Sequence, residues 1–473
     1  MVVVVVLALA GGRDDRGGHR SAARAGDGSA THHGSVPHRD TDTGGAGSSA
    51  ATTTAPAPST SKATEAAASS EPVPPRLPTA ASNRPHTPAE RKLERALGKW
   101  LKVAGPSSGA LVYDLSEGRE LYSLHPGYGR PPASVEKLWT TTALLNLLGP
   151  DARLDTTVLG SGHRSHHVWH GNLYLHGGGD PTYGDATFNH VWNRGYGPTP
   201  AELIAQLKHL GIRRVTGRVY GDESLFDHRR GGLITDYKAD TPDFGGQLSA
   251  LTYDHGTVMP RYDPATFAAH QFVATMRMLG MQAVAGRHDG TAPEHAQILA
   301  TAPSPPMSVM LGLMNVPSDD LFAELLTKQL GLRYGHGGTL ASGARVIAAT
   351  IAARYGLHPT IYDGSGLGRQ DRSSPKQIVQ LETELWHTRI GNELQATLPT
   401  VGVNGTVQSF GIKTPAARHC VAKTGSLNGV SNLAGYCSAR GHHQIAFAIL
   451  IDGPENATGF WLESKMVGAI ARY

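Results

Sequence analysis

Apolar positions along the chain recur with two different periods. After Thr87-Pro88-Ala89-Glu90, which reads as a cap, a proline at the first helical position and an acid in the first turn, Leu93, Leu97, Trp100 and Leu101 share one helical face. Two strand-like runs follow at 110–115 and 119–124, joined by the turn Ser116-Glu117-Gly118. Pro131-Pro132-Ala133-Ser134 then leads into an apolar helix that continues through Leu148 and is stopped by Gly149-Pro150. Strand and loop character dominates from 154 to about 219, interrupted by a helix that Thr199-Pro200-Ala201-Glu202 opens as a capping box. Further helices are predicted near 265–279, 306–315, 318–330, 342–355 and 375–386, with a glycine-rich loop at 363–372. Strands run from Val421 onward, and a helix over about 458–472 ends the chain. There is no internal repeat.

The pattern fails before Thr87. From Thr41 to Glu90, 39 of 50 residues are Ala, Gly, Ser, Thr or Pro, and no Phe, Tyr or Trp occurs between Gly11 and Lys99. Such a segment buries too little apolar surface to offset the entropy of ordering it, so 11–87 reads as a disordered spacer. Ahead of it, Met1 to Ala10 is apolar like a signal core and ends in Ala8-Leu9-Ala10, although it lacks a basic leader. An apolar leader followed by a Thr/Pro/Ala spacer predicts an exported, extracytoplasmic protein.

A net charge of +4 is too mild for a nucleic-acid binder, and no apolar run reaches the ~18 residues of an integral membrane span. Two cysteines exclude a disulfide scaffold and an all-cysteine zinc site. They stand eight residues either side of Asn428-Gly429, a favoured hairpin turn, so symmetry puts Cys420 and Cys437 opposite each other on neighbouring strands. A disulfide and two buried thiols both remain open.

Three short motifs carry candidate chemistry. Ser134-Val135-Glu136-Lys137 is S-x-x-K, a spacing that places an amine beside a hydroxyl on one helical face and lets a desolvated lysine take the serine proton. The pattern also occurs at Ser59–Lys62 and Ser373–Lys376, but only Ser134 begins a long apolar helix. Ser318-Asp319-Asp320 opens the helix carrying Leu321, Phe322, Glu324 and Leu325, and alone would be an acidic N-cap. Lys423-Thr424-Gly425 occurs once; its lysine and threonine suit a carboxylate, and glycine leaves room for a substrate backbone along the strand.

In this order the three motifs resemble the set of penicillin-binding proteins and class A β-lactamases. The surroundings resemble most the D-alanyl-D-alanine carboxypeptidase/endopeptidase family of the penicillin-binding protein 4 type (peptidase family S13). These are Thr140-Thr141, Gly178-Gly179-Asp180-Pro181, Met314-Asn315, Ala323-Glu324, Asp363-Gly364-Ser365-Gly366-Leu367 and Leu433-Ala434-Gly435-Tyr436. From Ser134 to Ser318 is 318 − 134 = 184 residues, matching the family's habit of inserting material between its first two motifs. The resemblance implies an α/β fold: a transpeptidase/β-lactamase-like domain, an antiparallel sheet flanked by helices plus a helical lobe, built from 88–160 and 300–473. A β-rich inserted region would occupy 161–299.

It also implies roles. Ser134 would attack the carbonyl between two D-alanines of a peptidoglycan stem peptide, Lys137 would accept its proton, and Ser318 would relay a proton to the leaving amine. Lys423 and Thr424, with Gly425 behind them, would hold the terminal carboxylate, and the N–H groups of Ser134 and Ser426 would form the oxyanion hole. Neither metal nor cofactor is required, and β-lactams would be covalent inhibitors. One departure stands out: Asp320 occupies a position where the family usually has an asparagine that donates to the substrate's acyl carbonyl. A carboxylate there would pair with Lys137 or Lys423, so a degenerate wall-binding or β-lactam-sensing protein is the alternative to a D,D-peptidase. A β-lactamase would need a deacylating acid, and none stands out. His163, His166, His167 and His170 read as a solvated hairpin and Gly177-Gly178-Gly179-Asp180 as a turn, since the latter lacks the Lys-Ser/Thr of a phosphate loop. Oligomeric state and the preference between terminal and cross-link cleavage stay open.

Overall fold

The computed structural model describes residues 86–231, 246–256 and 262–473. The leader at 1–10, all but the last two residues of the 11–87 spacer, and Ser59–Lys62 lie outside the described residues.

Helix α1 (Pro88–Ala104) starts as its sequence predicts: the Thr87 hydroxyl accepts from the Glu90 N–H while the Glu90 carboxylate accepts from the Thr87 N–H. Strands β1 (Gly109–Asp114) and β2 (Arg119–Leu124) follow, then a short 3-10 turn (Ala133–Glu136) that runs into α2 (Lys137–Leu147). The next stretch holds β3 (Asp155–Ser165), β4 (Val168–His176), α3 (Ala186–Trp192), α4 (Pro200–His209), β5 (Arg214–Asp222), α5 (Pro264–Met278), β6 (Gln282–Ala285) and β7 (Gln297–Pro303). Helices α6 (Met307–Asn315), α7 (Asp320–Tyr334), α8 (Leu340–Tyr355), α9 (Pro375–Leu385) and α10 (Arg389–Thr397) come next. The chain closes with β8 (Cys420–Leu427), β9 (Val430–Ser438), β10 (Gln444–Asp452) and α11 (Asn456–Ile470). None of these helices is long and apolar enough to cross a membrane.

One sheet is antiparallel throughout, in the order β2-β1-β10-β9-β8. Its central strand β10 is apolar without interruption because both faces are covered. Ala446, Ala448 and Leu450 face a core shared with Trp139, Met310, Phe322 and Ile378, whereas Ile445, Phe447, Ile449 and Ile451 face one shared with α1 and α11. Helices on both faces of an antiparallel sheet are the α/β arrangement expected.

A second sheet has the order β6-β5-β4-β3-β7. It reaches from Asp155 to Pro303, because β3 pairs with β7 as well as with β4. Besides its five strands the region has two further features. The pairs β4–β5 and β5–β6 are parallel, and α3, α4 and α5 belong to the region, with Leu203, Leu207, Phe272 and Met276 filling the core against Val158, Leu173 and Val219. Parallel neighbours require crossover connections, and here these are helical. The Thr199 box is also replaced: the Thr199 hydroxyl donates to the Glu202 carboxylate, 3.2 Å, instead of the reciprocal backbone bonds. Asp180 folds back on the Thr182 N–H and hydroxyl, the turn expected there.

Candidate active site

Ser134 lies in the 3-10 turn that precedes α2, not inside the α-helix proper. The turn is gripped on two sides. Gly425 on β8 lies so close that a Cβ there would be 2.4 Å from the Pro132 carbonyl oxygen. The glycine of the third motif therefore serves contact between β8 and the serine turn, where the sequence suggested room for substrate. Opposite, Gly366 has φ +84°, and a Cβ on it would be 1.9 Å from the Ala133 oxygen. Asn432, buried on β9, donates to the carbonyls of Pro131 (2.9 Å) and Pro132 (2.8 Å) and accepts from the Ile451 N–H (3.0 Å). Ala133 itself sits at φ +48°, a conformation L-residues adopt only when their surroundings impose it.

Lys137 is fully buried and points its ammonium at three acceptors. These are Ser134 Oγ (2.9 Å), Asp320 Oδ1 (2.6 Å) and the Ser365 carbonyl (2.8 Å). The Asp320 side chain is 25% exposed, so one end of this ion pair meets solvent. Of the two lysines left open for it by sequence, Asp320 pairs with Lys137.

Ser318 does not cap α7. Asp319 does so, its carboxylate accepting from the Phe322 N–H (2.9 Å) and meeting His255 Nε2 at 2.7 Å. Burial pushes the Asp319 carboxyl up, but His255 and the helical N–H hold it below the ordinary range. Ser318, displaced to φ +67°, turns its hydroxyl away from the helix to accept from Lys423 Nζ at 2.7 Å. The Lys423 ammonium also donates to the Thr424 carbonyl (2.9 Å). Burial, then the charge of Lys137, drive Lys423 well below the usual lysine range, against the pull of Asp320. The Thr424 hydroxyl donates to Thr406 Oγ1 (2.7 Å), and Ser426, half-buried, lies two positions along β8 on the face of Thr424.

Behind Lys137 stand four buried carboxyls, Glu136, Glu324, Asp363 and Asp371. Burial raises all of them, and repulsion from neighbouring carboxylates adds to it for Glu136, Glu324 and Asp371, with Glu324 pushed up to about 8. Asp363 accepts from the N–H groups of Gly366 and Gly368, each at 2.7 Å, which shapes the loop against the serine turn.

Ser134–Lys137, Ser318 and Lys423 thus converge from three remote parts of the chain on one pair of buried lysines. The chain matches the D-Ala-D-Ala carboxypeptidase 3 (S13) family over residues 89–266 and 261–473. It belongs to that family. Among relatives, it is 25% identical over 459 residues to a D-alanyl-D-alanine carboxypeptidase of Actinomadura sp. (strain R39), covering 78% of this chain and 82% of that one. It is 27% identical over 427 residues to carboxypeptidase DacB of Mycolicibacterium smegmatis, covering 82% and 88%. The crystal structure of penicillin binding protein 4 (dacB) from Haemophilus influenzae shares the fold, with a TM-score of 0.67 at 21% identity, over 80% of this chain and 99% of that one.

Within this S13 chain the competing S-x-x-K at Ser373–Lys376 is structural. Ser373 is buried and accepts from the Trp139 indole N–H (3.0 Å), and Lys376 is exposed. His163 and His170 stack across the β3–β4 hairpin, and His167 meets the Gly211 carbonyl. Cys420 and Cys437 are bonded, directly opposite in register with Cα atoms 4.1 Å apart. Sequence reasoning missed Asn432, His255 and Thr406. For Asn432 a signal existed, since it is a lone amide in the buried run 430–437.

Proposed function

We propose that this S13 chain is a serine D,D-peptidase in which Ser134 is the nucleophile acting on the D-Ala-D-Ala ends of peptidoglycan stem peptides. The observation that carries this reading is the 2.9 Å contact between Ser134 Oγ and a buried lysine amine. Acting as the base, Lys137 Nζ takes the Ser134 proton, and to do so it gives up part of its ion pair with Asp320. Ser134 Oγ adds to the carbonyl carbon, and the N–H groups of Ser134 and Ser426 bind the developing oxyanion. Lys423, short of negative partners, receives the terminal carboxylate together with Thr424, on a strand that Gly425 keeps against the serine turn. That carboxylate supplies the charge that burial denies it. Ser318, hydrogen-bonded to Lys423, passes a proton to the departing D-alanine nitrogen. Water then releases the acyl group by the same machinery. The relatives' names support terminal cleavage, and cross-link cleavage is the same chemistry at a second D,D bond.

β-Lactams are the expected covalent inhibitors, since their strained amide presents the same carbonyl to Ser134. The Cys420–Cys437 disulfide supports an extracytoplasmic location, where such bonds persist. A second reading is favoured by one observation, the carboxylate of Asp320 on Lys137: a protein that acylates slowly without turning peptide over. Incubation with a penicillin, peptide mapping by mass spectrometry and D-alanine release from a D-Ala-D-Ala peptide separate the two. Ser134→Ala is expected to abolish both labelling and release. An adduct on any other serine would overturn the assignment, and labelling without release would select the second reading.

A further inference from the structure

Glu324 lies on α7 one turn beyond Asp320 and is fully buried, yet it touches neither Ser134 nor Lys137 through any hydrogen bond of the structure. Its two oxygens accept from consecutive backbone N–H groups, Oε1 from Ser365 (3.0 Å) and Oε2 from Gly364 (3.3 Å). The Thr140 hydroxyl holds the Gly364 carbonyl from the other side at 2.8 Å. With N–H groups pinned to α7 and one carbonyl pinned to α2, the Ser365 carbonyl is left aimed at Lys137 Nζ, 2.8 Å away. One acidic side chain therefore fixes the acceptor that shares the amine with the serine and Asp320.

We infer that Glu324 is a positioning residue for the Lys137 amine, acting through the Gly364–Ser365 backbone. The inference rests on the reading of Lys137 as the base for Ser134. Its loss would let the 363–366 loop relax, swing the Ser365 carbonyl away, and allow the amine to turn off the Ser134 hydroxyl. A shift of about 1 Å in a reacting pair costs on the order of a hundredfold in rate.

Protonation gives the role a signature that packing alone lacks. The charged and titratable groups around Glu324 are Glu136 on the serine turn, Lys137 on α2, Asp363 on the loop, and Lys328 on its own helix, with Asp371 acting on Asp363 and Glu136. Burial first, then Asp363, push its carboxyl up to about 8, against the Ser365 side chain, the Gly364 N–H and Lys137. Near neutrality it is uncharged. Above that range it becomes an anion, and its attraction for the Lys137 amine competes with the Ser134 hydroxyl, so acylation bends downward. Glutamine mimics the neutral acid in size and keeps one acceptor for the Ser365 N–H.

The test is penicillin acylation of wild type, Glu324→Gln and Glu324→Ala from pH 6 to 10, with the saturable first-order constant separated from the binding constant and folding checked by thermal melting. Glu324→Gln is expected to stay within about fivefold of wild type at pH 7 and to lose the downward bend near pH 8. Glu324→Ala is expected to lose about 30- to 100-fold in the first-order constant with binding unchanged. An unaltered bend in Glu324→Gln, or a folded Glu324→Ala that acylates at the wild-type rate, would overturn the role of Glu324. Failure of wild type to label Ser134 would instead overturn the reading of the site on which it rests.

Discussion

Replacing Asp320 by asparagine tests the feature in which this chain departs from its family. The change keeps the volume, still offers Lys137 one carbonyl acceptor and restores an amide donor, so its main effect is to remove a negative charge 2.6 Å from the amine. Two unit charges about 4 Å apart attract by roughly 4 kcal/mol at an effective dielectric of about 20. Because Asp320 is a quarter exposed, solvent screens part of this, and about 2 kcal/mol is a fair net figure. In the wild type some of that attraction must be surrendered before Lys137 can accept the Ser134 proton. If half is lost at the transition state the barrier carries ~1 kcal/mol, and if all is lost ~2 kcal/mol, or about 5- to 30-fold in rate.

Asp320→Asn is therefore expected to raise the second-order acylation constant for a fluorescent penicillin by about 5- to 30-fold at pH 7. A fall of more than tenfold would mean that Asp320 is an adapted partner that relays the proton. A constant within twofold of wild type would mean that the ion pair is already broken in the reactive state.

Two further outcomes concern stability. Reducing the Cys420–Cys437 bond, which closes a separation of 17 residues, should lower the unfolding free energy by about 3 kcal/mol in denaturant titrations; equal midpoints with and without reductant would refute this. Burial, opposed by the Thr182 bonds, raises Asp180 from 3.8 to about 7, and its Oδ2 has no hydrogen-bond partner among the described residues. The folded state thus keeps a proton that the unfolded chain has released, and this contribution to stability is full below about pH 4 and lost as pH rises through about 7. Asp180→Asn should accordingly stabilise the protein relative to wild type more at pH 8 than at pH 5, and a pH-independent difference would refute it.

What was legible in the chain was local in origin. Thr87 and Glu90 are three residues apart, Ser134 and Lys137 likewise, and the cysteines are related through a turn of two residues, so spacing alone was enough to pair them. The order of three motifs added the family, and with it the antiparallel sheet. What was not legible depends on where remote segments meet. The sequence Ser318-Asp319-Asp320 offers three residues able to cap α7, and only the position of His255 and Lys423 decides that Asp319 caps while Ser318 takes a positive φ and faces the second lysine. The glycine of Lys423-Thr424-Gly425 looked like clearance for a substrate, yet the carbonyl it clears belongs to Pro132, nearly 300 positions away. The parallel pairs of the second sheet are of the same kind, since β4 alternates as an antiparallel strand would. These long-range constraints converge on one object, the turn that holds Ser134. Gly425, Gly366 and Asn432 touch its backbone and leave the Ser134 hydroxyl to Lys137. The motif supplies the reacting atoms, and the rest of the fold supplies the rigidity that lets a weak nucleophile and a buried amine stay 2.9 Å apart.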